Sequence, residues 1–279
     1  MNPLLNLPHD IIQVNLSGSV NKSKAPAWKT FLLGIMAGAF IAFGAQASSV
    51  AMHGISNVGL ARLTAGCIFP VGLMMIVFIG GELFTGDCMM TMACFGKKIS
   101  ILSMLRTLLI VYVSNFVGAA SVAALVCFSG QYGYSDSALG AFTIKVALGK
   151  VNLPFGTALI SGILCNILVC AAVLMAAAAK DIAGKVLAIF FPIMAFVVSG
   201  FEHCVANMYY IPAGILAASN PVYAEKAADL YQISSEQLAS LNWGNFAVVN
   251  LIPVTIGNII GGGIIVGGML YLLHGKDCD

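Results

Sequence analysis

Six long apolar stretches constrain this chain more than any other feature of its sequence. They cover approximately residues 29–53, 62–95, 106–129, 154–179, 186–218 and 244–273. A helix needs about 20 apolar residues to cross roughly 30 Å of hydrocarbon, so each stretch predicts a membrane span. Only 9% of the 279 residues are charged, against about 25% in a typical soluble domain. The chain is therefore predicted to be an all-α integral membrane protein.

The second and fifth stretches are too long for one simple span, and a polar cluster interrupts each of them. The clusters are Gly81-Glu82-Leu83-Phe84-Thr85-Gly86-Asp87 and Gly200-Phe201-Glu202-His203-Cys204-Val205-Ala206-Asn207. In each, a second polar residue follows a glutamate by five positions, Asp87 after Glu82 and Asn207 after Glu202. Broken backbone and ionisable groups at membrane depth are tolerated only inside protein or along a cavity. Two broken helices that line a pore are therefore expected.

Matching motifs divide the six spans into two halves. Asn115 stands three residues before Gly118 in the third span, and Asn258 stands three before Gly261 in the sixth. The likeness of the first and fourth spans is weaker and depends on small residues that permit close helix contact, Gly34, Gly38, Gly156 and Gly162. With three spans in each half, the second half must enter from the opposite side. This predicts an inverted 3+3 repeat, about 29–130 and 150–273.

The distribution of Lys and Arg predicts the orientation. With both termini in the cytoplasm, nine Lys and Arg residues lie inside and four outside, which satisfies the positive-inside rule. The four outside are Arg62, Lys145, Lys150 and Lys226. Lys150 precedes Pro154, and that proline suits the first turn of the fourth span.

The resulting domain organisation has three parts. Residues 1–28 are a cytoplasmic N-terminal segment with a short helix, residues 29–273 are the six-helix channel domain, and residues 274–279 are a cytoplasmic tail. The polar stretch 219–243 is predicted to be an external loop with room for a short helix.

Composition and spacing exclude several other classes. The net charge of +2 is small and scattered, which argues against a nucleic-acid surface. Neither a metal-ligand spacing nor a set of nucleophile, base and orienting residue occurs, so no metal, no cofactor and no catalytic residue are expected. A membrane-embedded enzyme using Glu202, His203 and cysteines is the remote alternative.

Three runs carry a resemblance to a known family. They are Glu82-Leu83-Phe84-Thr85, Leu164-Cys165-Asn166-Ile167-Leu168-Val169-Cys170 and Phe201-Glu202-His203-Cys204-Val205-Ala206-Asn207-Met208. With them the chain closely resembles the formate/nitrite transporter family, and most nearly its bacterial hydrosulfide channel branch. The resemblance implies an aquaporin-like protomer in the cytoplasmic (inner) membrane, assembled as a homopentamer with one pore per protomer.

The same resemblance implies the site residues. The central pore residues would be Thr85, His203, Lys150, Glu202, Asn166 and Asn207. The inner constriction would be Leu73, Leu83 and Val169, and the outer one Phe69, Phe84 and Phe196. The bulky residue that the family often has after the asparagine of the fourth span is Ile167 here.

The chemistry of these residues suits a small anion. The His203 imidazole and the Thr85 hydroxyl can each donate a hydrogen bond, while Glu82 and Glu202 are expected to support the loops. A histidine that only joins helices is the structural alternative. The sequence therefore predicts a channel for small monovalent anions of weak acids, with hydrosulfide first and formate or nitrite next. Passage as the anion or as the protonated acid stays open, and a neutral-solute or water channel of the same fold is the alternative.

Overall fold

The computed structural model describes residues 5–275, which are predominantly helical. Helices α1 to α8 are Pro8–Lys24, Ala27–Met52, Val58–Ile68, Val71–Ile79, Phe84–Asp87, Thr91–Phe95, Ile101–Phe128 and Ala138–Val151. Helices α9 to α16 are Phe155–Ala178, Ile182–Ser199, Cys204–Ala218, Pro221–Tyr231, Ser235–Ser240, Trp243–Asn245, Ile252–Asn258 and Met269–His274. Short 3-10 turns cover Cys88–Met90 and Gln131–Gly133, and π-helical segments cover Phe246–Leu251 and Ile259–Gly268.

Six helical spans are long and apolar enough to cross a membrane, which confirms the prediction. They are Ala27–Met52, Val58–Ile79, Ile101–Phe128, Phe155–Ala178, Ile182–Ser199 and Trp243–His274. The last one alternates between α- and π-helical geometry along its length.

The second and fifth spans are broken at the predicted positions. Helix α4 ends at Ile79 and is followed by Gly80, whose φ of +105° is a conformation that favours glycine, and α5 begins at Phe84. Helix α10 ends at Ser199 and is followed by Gly200, with φ of +73°, and α11 begins at Cys204. A further interruption, between α3 and α4, was not predicted. It coincides with Pro70, which has no N–H to donate to the preceding turn.

An additional helix, α8, separates the third and fourth spans. Lys150 lies in its last turn, whereas the fourth span begins later, at Phe155. Pro154 marks the start of that span, and the helix that carries Lys150 has already ended at Val151. In the predicted external loop, α12 and α13 form, and α12 packs against α8.

Glycines let α2 pack closely on α7. A Cβ at Gly38 would lie 2.1 Å from the Asn115 carbonyl oxygen, and one at Gly118 would lie 2.0 Å from that of Ile35. Real side chains do not tolerate such distances, so these backbones approach only because the residues are glycine.

The pair α9 and α15 uses the same device. A Cβ at Gly162 would lie 2.8 Å from the Val254 carbonyl oxygen, and one at Gly257 would lie 2.2 Å from that of Leu159. The expected contact role of Gly156 is wrong, because a Cβ there would meet nothing within 4 Å. Gly156 lies in the exposed first turn of α9, outside the helix contact.

Helix α1 is the helix expected in the N-terminal segment. Its buried residues Ile12 and Leu16 pack with Met89, Met90 and Met92, which follow the first broken loop. Of the predicted tail, residues 276–279 lie outside the described part of the chain.

Candidate functional site

The two broken loops meet through a hydrogen bond between buried side chains. Thr85 Oγ1 lies 2.9 Å from His203 Nε2. His203 is also the N-cap of α11, and its Nδ1 accepts the Ala206 N–H at 2.9 Å. A backbone N–H can only donate, so Nδ1 carries no hydrogen and the neutral ring donates from Nε2 to the Thr85 oxygen. The structure thus brings together two residues predicted to line the centre of the pore.

The Thr85 hydroxyl keeps its own hydrogen for another acceptor. Its oxygen accepts from His203, and a hydroxyl has one further O–H to donate. An anion between the loops could accept this O–H directly, and it could also accept the His203 N–H only by replacing Thr85 as the acceptor of that hydrogen. The pair is therefore suited to bind an anion that accepts hydrogen bonds and donates none.

Asn115 holds the first broken loop against α2. Its side-chain amide donates to the Gly34 carbonyl at 2.8 Å and to the Glu82 carbonyl at 2.9 Å. Its Oδ1 accepts the Phe84 N–H at 3.0 Å. Each of these backbone groups would be costly to leave unpaired at membrane depth. One buried amide thus satisfies three of them.

Asn258 holds the second broken loop in the corresponding way. Its amide donates to the Gly162 carbonyl at 2.7 Å and to the Glu202 carbonyl at 3.1 Å. Its Oδ1 accepts the Cys204 N–H at 2.9 Å. The two asparagines noticed as a sequence repeat therefore make the same set of three contacts.

Asn166 supports the centre from the fourth span. It is fully buried and donates to the Thr85 carbonyl at 3.1 Å and to the Asn258 carbonyl at 2.6 Å. Both contacts are to backbone oxygens, so Asn166 positions the loop that carries Thr85.

Glu202 lies at the centre of a second polar cluster. Its Oε1 accepts from Lys150 Nζ at 2.9 Å, and its Oε2 accepts from Asn207 at 2.6 Å. Its backbone N–H donates to the Ser161 hydroxyl at 3.0 Å. A buried carboxylate needs such partners because an unpaired one costs several kcal/mol. The cluster holds the loop and neutralises Lys150.

Asn250 also belongs to this cluster, although it was not among the residues predicted for the pore. Its side-chain amide donates to the Lys150 carbonyl at 2.9 Å and lies 3.4 Å from Glu202 Oε2, while its Oδ1 accepts from Asn207 at 2.7 Å. The available signal was an isolated amide in the apolar sixth span.

Lys22, at the end of α1, pairs with two carboxylates next to the first broken loop. Its ammonium donates to Asp87 Oδ1 at 2.5 Å and lies 2.6 Å from Glu82 Oε2. Burial lowers the pKa of Lys22, but Asp87 and Glu82 outweigh this effect and raise it above the ordinary lysine value. The contact joins residues 65 positions apart, so no local sequence pattern predicts it.

The predicted constriction residues are all buried, at 2 to 4% exposure. Phe69 and Phe196 meet edge to face with ring centroids 5.4 Å apart, and Phe196 stacks on His203 at 6.0 Å. Phe84 packs instead on Tyr112, at 4.8 Å. The residues predicted for the inner constriction lie in the main hydrophobic core, Leu73, Leu83 and Val169.

A cavity of about 730 Å³ leads to this site. Phe69, Phe196 and His203 belong to its lining. Its other polar and charged lining residues include Arg62, Lys145, Lys150, Glu202 and Asn207. The cavity thus connects the Lys150–Glu202 cluster with the aromatic pair and with the imidazole between the loops.

Comparison with known proteins gives matches over most of the chain. A family model described as formate/nitrite transporter matches residues 9–272. A probable formate transporter of Methanothermobacter thermautotrophicus is 38% identical over 274 residues, which cover 92% of this chain and 92% of that protein. The formate channel FocA of Haemophilus influenzae is 38% identical over 250 residues, 88% of this chain and 87% of the relative.

Solved structures share the fold. A pentameric formate channel with formate bound has a TM-score of 0.79 and 34% identity, covering 89% of this chain and 97% of that one. An ion channel of the same family, abbreviated FNT, has a TM-score of 0.78 and 26% identity, covering 95% of this chain and 98% of that one.

Proposed function

The chain belongs to the formate/nitrite transporter family, and on that premise we propose that it is a selective membrane channel for small monovalent anions of weak acids. The observation that carries the proposal is the buried Thr85–His203 pair, which offers neutral hydrogen-bond donors between the two broken loops. The name of the matched formate channels makes formate the first anion to test.

His203 is proposed to recognise the anion by donating a hydrogen bond, without transferring a proton. Its Nδ1 is committed to the Ala206 N–H, and a hydrogen on Nδ1 would point at that donor. The neutral ring therefore keeps the cap of α11, and its Nε2 hydrogen, bonded to Thr85 when the centre is empty, exchanges that acceptor for the anion. Thr85 is proposed as the second donor to the same anion.

Selection by charge is proposed to occur at the apolar slit next to this pair. An anion that passes Phe69 and Phe196 must lose most of its water. The Born cost rises with the square of the charge, about fourfold for a dianion of equal radius, while attraction to fixed donors rises only about twofold. A dianion such as sulfate should be excluded for this reason.

The architecture proposed for this channel is an inverted 3+3 repeat of aquaporin-like form. We place it in the inner (cytoplasmic) membrane, with both termini in the cytoplasm. The equivalent contacts of Asn115 and Asn258 support the repeat. A homopentamer with one pore per protomer is proposed from the pentameric relative.

Hydrosulfide, predicted first from the sequence, stays a prediction. It is small, monovalent and soft, so the slit argument allows it as well as formate. The two similar sequences and the similar pentameric structure are described as a probable formate transporter and as formate channels. A direct comparison of the two anions is therefore part of the test.

Flux of an anion panel into proteoliposomes of the purified protein tests the proposal. Formate, nitrite and hydrosulfide are compared with sulfate, glycerol and water, and empty vesicles of the same lipid provide the background. We expect at least one monovalent anion to enter well above background and sulfate to stay outside. Sulfate entry equal to formate entry, or water and glycerol flux without anion flux, would contradict the proposal.

A further inference from the structure

The charged residues that line the cavity are unevenly paired. Three cations and one carboxylate line it, namely Arg62, Lys145, Lys150 and Glu202. Lys150 is neutralised by Glu202 at 2.9 Å. Within residues 5–275, neither Arg62 nor Lys145 forms an ion pair with a carboxylate. The cavity wall therefore carries an excess of two positive charges, which come from Arg62 and Lys145.

The Arg62 guanidinium lies against the start of the second broken loop. A Cβ at Gly200 would be 2.4 Å from Arg62 Nη1 and 3.1 Å from its Cζ. A side chain at position 200 would displace the guanidinium from this place. Arg62 itself is exposed, so its planar donors face the water of the cavity.

Lys145 is held on another wall of the same cavity by an aromatic ring. Its Nζ lies 4.3 Å from the ring centroid of Tyr231, and both residues line the cavity. The ring attracts the ammonium through its quadrupole without neutralising it, unlike a carboxylate. Lys145 is exposed, and its charge therefore acts on ions in the cavity.

We propose that Arg62 and Lys145 form an anion-binding station in the cavity, ahead of the aromatic slit, that captures a small monovalent carboxylate. The proposal rests on the proposed function, because the captured anion is the permeant. A guanidinium binds a carboxylate through two parallel hydrogen bonds, and an unscreened positive cleft raises the local anion concentration about 10- to 1,000-fold. Lys150 is the family lysine expected at the pore, yet its charge is already matched by Glu202. Capture at low formate concentration should therefore depend on Arg62 and Lys145.

Charge reversal on one folded protein tests the station. Purified Arg62→Cys is treated in detergent either with a cationic trimethylammonium thiosulfonate or with an anionic sulfonate analogue, and is then reconstituted. At about 0.01 M ionic strength the Debye length is about 30 Å, and at about 1 M it is about 3 Å. Initial formate uptake below half-saturation should be at least about threefold faster for the cationic product at low ionic strength. The ratio should approach one at high ionic strength.

Two controls separate the possible failures. Wild-type protein treated with both reagents corrects for native thiols, of which Cys67 is exposed. Lys226→Cys places the same two charges outside this cavity, because Lys226 is not one of its lining residues and pairs instead with Asp136 at 2.6 Å. Equal uptake by the two Arg62→Cys products, in vesicles where wild type carries formate, would overturn the station and leave the proposed function intact. Absence of anion flux through wild type would overturn both.

Discussion

The His203 side chain uses its two ring nitrogens for different tasks. Nδ1 caps α11 through Ala206, and Nε2 bonds Thr85. Asparagine is among the best N-caps, but its amide is too short to reach as far as the imidazole Nε2. A substitution can therefore remove the contact with Thr85 while it keeps the cap.

His203→Asn should preserve folding and lower anion flux. A hydrogen bond to a charged group contributes about 1.5 to 3 kcal/mol, which corresponds to roughly 10- to 100-fold in rate when it is made at the barrier. Formate flux in vesicles measures the loss, and the melting temperature of the purified protein reports folding. His203→Ala removes the cap as well and should lower the free energy of unfolding by about 1 kcal/mol more. If a folded His203→Asn protein kept wild-type flux and selectivity, the role of His203 would be structural and not anion recognition.

At the scale of the elements, the helix pairs depend on direct backbone contact. The α2–α7 pair requires glycine at position 118, where a Cβ would lie 2.0 Å from the Ile35 carbonyl oxygen. Backbone atoms cannot move aside as the end of a flexible side chain can. The contact therefore provides a sensitive test of the packing.

Gly118→Ala should destabilise the protein by about 1 to 3 kcal/mol, the usual cost of overpacking. Gly156→Ala is the matched control in another span, because a Cβ there meets nothing within 4 Å. The control should be neutral or slightly stabilising, since alanine favours helix over glycine by about 1 kcal/mol. Thermal unfolding of both variants in the same detergent gives the comparison. Equal melting temperatures would show that the α2–α7 contact relaxes freely.

Local patterns predict the spans and their breaks but not the pairs formed between distant elements. The long apolar stretches and the polar clusters that interrupt them were sufficient to locate the breaks at 80–83 and 200–203. They could not place α8, because its 14 residues are too few to cross a membrane and carry no break signal. The Lys22 contact and the place of Asn250 depend on tertiary packing, and no single segment encodes either.

At the scale of the whole molecule, the two broken loops are associated with charge clusters of different composition. Lys22 lies between the carboxylates Asp87 and Glu82, whereas Lys150 meets the carboxylate of Glu202 and, through it, the neutral amide of Asn207. The first cluster holds two carboxylates and one cation, whereas the second holds one of each. The cavity with its unpaired cations adjoins the second cluster. The orientation in the membrane therefore decides which compartment the positive cavity faces.

Sided labelling of single cysteines should show that this cavity faces the outside. Nine of the thirteen Lys and Arg residues fall on the predicted cytoplasmic side, and such charges resist transfer across the membrane during insertion. In intact cells, a membrane-impermeant maleimide should label Glu225→Cys, on α12, above the wild-type background. It should label Lys97→Cys, in the loop before α7, only after the cells are opened. Labelling of Lys97→Cys in intact cells would show that the orientation is the opposite one. The positive cavity would then face the cytoplasm and collect anions from there.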